Sequence, residues 1–101
     1  MPAKPQNREE ADVLTALPRM FSVILHNDDY TTMDFVVEIL MRVFRKPAQE
    51  AAQMMMRVHE ENACIVGVYT YDIAVTKKAQ ADAMAEQHGF PLKITVAEAQ
   101  A

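Results

Sequence analysis

The stretch that most constrains this chain runs from Phe21 to Phe44. Phe21-Ser22-Val23-Ile24-Leu25 is short, apolar and β-branched, so it reads as a strand. From Met33 to Phe44 the apolar residues fall at helical spacing, which reads as a buried helix. Between them lies His26-Asn27-Asp28-Asp29-Tyr30-Thr31-Thr32. A strand-to-helix joint is a place where a rigid scaffold presents polar groups. Here those groups are one amide and two carboxylates, followed by threonines able to cap the helix. Thr31 with Asp34 three residues later makes a capping-box-like pair. The same side chains also suit a plain Asx turn. Local pattern therefore leaves binding loop and structural turn both open.

The flanking segments place this joint in one small domain. Residues 1–17 are polar, hold two prolines and show no sustained period, so they read as a flexible arm. The core is expected over 18–97, with a loose tail over 98–101. The first strand spans Met20 to His26. After the first helix, Arg45-Lys46 suits a helix C-terminus, and Pro47 suits the first turn of a second helix reaching Glu61. In that helix Ala48, Ala51, Ala52, Met55, Val58 and His59 share one face. Asn62 suits a left-handed C-cap. Ala63 to Tyr69 is nearly all apolar and reads as a central strand, with Gly67 marking a bulge or close approach. Thr70 can cap a third helix, Tyr71 to His88, stopped by Gly89. Leu92, Ile94 and Val96 then alternate with polar residues as an edge strand. The order is β-α-α-β-α-β. The fold class is α+β, a three-stranded antiparallel sheet packed with three helices.

Composition narrows the function classes. No apolar run approaches the ~18 residues that span a membrane, and the first ten residues lack the apolar region of a signal peptide. The lone Cys64 excludes an internal disulfide framework. Together these point to the cytoplasm. The net charge of −4, without a basic stripe, gives nucleic-acid binding little support.

Three chemistries can be drawn from the polar residues. His26, Asp28, Asp29 and His59 carry metal-ligand atoms, the basis of a small metal-dependent hydrolase as the alternative function. No H-x-x-x-H or C-x-x-C spacing supports it. Cys64 with His59 could be drawn as a catalytic dyad, but Cys64 lies in an apolar strand where cysteine packs. The third is recognition. Asn27, the carboxylates and a neutral His59 are all hydrogen-bond acceptors. The eight methionines suit core filling or an adaptable pocket. Met33 follows the loop directly, and Met55 is one turn before His59. Convergent acceptors above apolar groups suit an ammonium joined to a large apolar side chain, which is a peptide N-terminus.

The sequence resembles the ClpS family, adaptors that carry N-degron substrates to the ATP-dependent Clp protease. The resemblance covers residues 19–96. It rests on Val23-Ile24-Leu25-His26-Asn27-Asp28-Asp29-Tyr30-Thr31, Met33-Asp34-Phe35-Val36, Met55 with Val58-His59, Gly67-Val68-Tyr69-Thr70, Thr76-Lys77 and Pro91-Leu92. It implies a non-enzymatic adaptor, without cofactor, that binds N-terminal Leu, Phe, Tyr or Trp. The α-amino contacts fall on Asn27, Asp29 and His59, with Asp28 adjacent. The side-chain pocket falls on Thr31, Met33, Val36, Met55, Val58 and Leu92, with Met33 gating against β-branched residues. A second surface at Asp72, Thr76 and Lys77 is implied to dock on the N-terminal domain of a ClpA-like Clp ATPase. The arm is implied to take part in substrate hand-off.

Three positions depart from the family pattern. Thr32 stands where proline is common, which implies a less stiff loop. Val75 replaces a common glutamate beside the docking residues, which leaves the choice of unfoldase open. Asn62 replaces a usual glycine, which a left-handed cap tolerates.

Overall fold

The computed structural model of the chain describes residues 18–99. The arm expected over 1–17, and residues 100 and 101 of the expected tail, lie outside the described residues. The elements are β1 (Met20–His26), α1 (Met33–Arg42), α2 (Ala48–Glu61), β2 (Ala63–Thr70), α3 (Tyr71–Gln87) and β3 (Lys93–Glu98). They form the expected α+β arrangement, with all strand pairs antiparallel. No helix among the described residues is long and apolar enough to cross a membrane.

The sheet order is β2-β1-β3, so β1 is central and β2 is an edge. This corrects the expectation of a central β2. An apolar run predicts burial on both faces, yet Ile65 and Val68 are 54% and 47% exposed, so only one face of β2 is covered. The bulge expected at Gly67 is present. Val23 pairs with Gly67 and Ile24 with Ile65, which leaves Val66 as the extra residue. A Cβ on Gly67 would run into the Tyr69 side chain. Gly67→Val should therefore cost about 1–3 kcal/mol by overpacking, read as a lowered midpoint in urea. β3 continues to Glu98, past the expected end at Val96. Phe21 pairs with Glu98, and Ala99 N–H donates to the Met20 carbonyl at 2.8 Å.

The helix ends show where local pattern and packing part. α1 stops at Arg42, two residues before Phe44. Val43 and Phe44 are buried just beyond the last turn, so apolar spacing overran the true end. Arg45 then turns the chain in the left-handed region at φ 59°. The N-cap is Thr32 rather than Thr31, its hydroxyl accepting from Phe35 N–H at 3.1 Å. Pro47 sits at the N-cap of α2, one residue ahead of the expected first turn. Asn62 caps α2 at φ 71°, as expected.

The core-facing stripe of α2 is Ala51, Met54 and Val58. The sequence reading placed Met55 there. Met54, Met55 and Met56 are equally apolar, so composition could not choose among them. Packing turns Met54 inward and leaves Met55 half-buried at the margin. α3 packs by its alanines, Ala74, Ala81 and Ala85, which lets it lie close to the sheet. Phe35 anchors α1 to the far end of α3, with ring centroids 4.8 Å from Phe90 and 4.9 Å from His88.

Candidate functional site

The loop after β1 is held by its own polar groups. Asp28 Oδ1 accepts from the Tyr30 and Thr31 amides at 2.8 and 2.7 Å, and Oδ2 accepts from the Thr31 hydroxyl at 2.7 Å. Burial pushes the Asp28 carboxyl up, but the Thr31 hydroxyl and the two amides outweigh it and hold it below its ordinary 3.8. The folded-state value is depressed, so the stabilisation is complete above about 3.8 and is lost as pH falls through the lower folded value. The Thr31 amide resonance should titrate with a midpoint below 3.8. Asp28→Ala should cost about 1–2 kcal/mol in urea denaturation.

A second tie sets the loop against α2. Asn27 N–H donates to the Asn62 carbonyl at 2.8 Å. Asn62 terminates α2, and His59 lies one turn earlier on that helix. The clip therefore brings the Asn27 end of the loop to the His59 end of α2.

Between loop, α1 and α2 lies a cleft of about 280 Å³. The loop contributes Asn27, Asp28, Asp29 and Thr31 to its rim. The first turn of α1 contributes Met33 and Val36, and α2 contributes Met55, Val58 and His59. Val36 and Val58 are buried, while Met33 is 42% exposed at the mouth. The arrangement is a polar rim over an apolar wall. Asp28 has both oxygens engaged within its loop, and Asn27, Asp29 and His59 line the same rim beside it.

Leu92 is 7% exposed and belongs to the buried cluster that also holds Val36 and Val58. His26 Nε2 shares a hydrogen bond with the Thr95 hydroxyl at 2.8 Å on the sheet. Among the described residues no three His, Cys, Asp or Glu side chains gather in a way that could hold a metal ion. Cys64 is buried, its Sγ 3.4 Å from the Ile65 carbonyl. Asp72, Thr76 and Lys77 share a separate cavity of about 280 Å³ with Ile73 and Gln80. The Thr76 hydroxyl donates to the Asp72 carbonyl, and Lys77 Nζ donates to the Val43 carbonyl, both at 2.8 Å. Ile73, 49% exposed, was not singled out in the sequence. An apolar residue followed by Ala74 and Val75 in a weakly amphipathic helix gives no periodic signal of exposure.

The family model for the ATP-dependent Clp protease adaptor protein ClpS matches residues 16–95. The chain belongs to the ClpS family. An ATP-dependent Clp protease adapter protein ClpS from Syntrophus aciditrophicus is 57% identical over 81 residues, 80% of this chain and 76% of that relative. One from Oleidesulfovibrio alaskensis is 48% identical over 99 residues, 94% of this chain and 95% of the relative. Among solved structures, Agrobacterium tumefaciens ClpS2 bound to L-phenylalaninamide superposes with a TM-score of 0.79 at 36% identity. That match covers 82% of this chain and 100% of the other. The family is one of protease adaptors, which agrees with the adaptor reading rather than the hydrolase.

Proposed function

We propose that the cleft reads the free N-terminal residue of a substrate. The observation that carries this is the meeting of three acceptors, Asn27, Asp29 and His59, at the rim of an apolar cleft. An α-ammonium offers three donors and a positive charge to that rim. The attached side chain passes between Met33, Val36, Met55 and Val58. Leu, Phe, Tyr and Trp are the fitting first residues. The relative bound to L-phenylalaninamide, a free amine on an aromatic side chain, supports this assignment.

The protein then delivers such substrates to a Clp AAA+ unfoldase-protease in the cytoplasm. The docking face is Asp72, Thr76 and Lys77, exposed or half-exposed on the first turns of α3. Lys77→Ala should weaken binding to the N-terminal domain of a ClpA-like unfoldase and leave binding of a Leu-initiated peptide unchanged, by anisotropy.

Met33 is the gate against β-branched residues. The test is a panel of labelled peptides differing only in the first residue. The parent should bind Leu and Phe and reject Ile and Val, and Met33→Ala should admit Ile and Val. Unchanged discrimination in the mutant would remove Met33 from that role.

A further inference from the structure

A second cleft, of about 490 Å³, lies where the end of α1 meets α3. Arg42 and Arg45 line it from α1 and the turn after it, with Lys77, Gln80, Met84 and Gln87 from α3. None of its lining residues is acidic. The chain as a whole carries −4, so this gathering of cations runs against its average.

The end of a helix is ordinarily negative, because its last carbonyls lack partners. Lys77 reverses that here. Its Nζ donates to the Val43 carbonyl at 2.8 Å, which satisfies one carbonyl and leaves two N–H groups and the charge. Arg42 is shared with Glu38 at 2.8 Å. Arg45 has no carboxylate within ion-pair distance among the described residues. Its φ of 59° is one that glycine adopts freely and a long side chain does not. A strained backbone thus carries the unpaired guanidinium of the cleft.

The α3 wall has a defined length. Lys77, Gln80, Met84 and Gln87 follow i, i+3, i+7 and i+10, a single helical stripe. It is about 15 Å long at ~1.5 Å per residue. That matches about four to five residues of extended peptide at ~3.3 Å each.

We propose that this cleft binds a short, extended, acidic segment of a protein partner. Carboxylates meet Arg45 and Lys77, with a planar guanidinium suited to a bidentate pair. The glutamine amides serve the segment's backbone, and Met84 adapts to its stems. A nucleic acid fits less well, because a long polyanion would meet the net negative charge of the rest of the protein. Lys77 and Gln80 also border the cavity at Asp72 and Thr76. An acidic segment on the protein that docks there would reach both.

The test uses the full chain and a fluorescein-labelled N-acetyl hexaglutamate peptide, whose blocked amine cannot use the Asn27 site. At about 50 mM salt the peptide should bind, and at about 300 mM it should weaken markedly. Arg45→Glu should lower affinity by at least ~10-fold. Arg45→Gly suits the left-handed backbone, keeps the fold and should also weaken binding. Neither variant should change binding of a free-Leu peptide. Absence of binding at low salt, parental affinity in Arg45→Gly, or tighter binding of an oligothymidylate of equal length would each overturn the proposal.

Discussion

A peptide beginning with leucine should lose at least ~100-fold in affinity when its terminal amine is acetylated. On the proposed function, the free ammonium brings three donors and a charge to Asn27, Asp29 and His59. Hydrogen bonds to a charged group contribute ~1.5–3 kcal/mol each, and burying a leucine or phenylalanine side chain about the same. Three such contacts plus the side chain, less the cost of association, give micromolar or tighter binding, ~8 kcal/mol. Acetylation removes the charge and two donors, and leaves the rim acceptors facing a neutral group. Two lost charged bonds amount to ~3 kcal/mol, which is where the ~100-fold comes from. Fluorescence anisotropy with the two peptides measures it. Equal affinities would mean that the rim does not recognise an amine.

The largest stability effect should come from Phe35→Ala, about 3–5 kcal/mol. Phe35 is 3% exposed and packs on Phe90 and His88, so it joins α1 to the end of α3 and the loop that leads to β3. Truncation leaves a cavity that the alanine face of α3 cannot fill by collapsing. For a domain of this size, that energy lowers the melting temperature by at least ~10 °C. Circular dichroism on heating checks it. A change of only a degree or two would show that α1 is held by other contacts. The site is tied to this anchor, because Phe35 lies on α1 between Met33 and Val36, which both line the cleft.

The loop and its two neighbours were legible because their chemistry is local. An apolar strand, a run of Asn and Asp and a capped helix identify themselves by period and residue type. The resemblance carried by Asn27-Asp28-Asp29-Tyr30-Thr31 with Val58-His59 supplied the pairing that spacing alone could not. Features decided by tertiary packing were harder to read. Which of three adjacent methionines faces the core depends on the rotation of α2 against α1. Which strand is central depends on what covers each face, and β2 carries apolar residues on a face that the described residues leave open. The role of Asp28 shows the same limit. The resemblance sets it beside the amine contacts, and only the folded loop shows that its oxygens accept from Tyr30 and Thr31. Leu92 is buried at 7% exposure, as are the cleft-wall residues Val36 and Val58 at 6% and 2%, so burial alone does not separate a pocket wall from the core.

The proposed seat for the first residue of a substrate is the cleft between the loop, α1 and α2. Its most direct test is a titration of L-leucinamide into the isotope-labelled protein, followed by amide and methyl chemical shifts. Changes should concentrate at Asn27, Asp29 and His59 and at the methyl groups of Met33, Met55 and Val58. Changes centred on Tyr71 and Asp72, or on Arg45 and Lys77, with the loop unmoved, would contradict it.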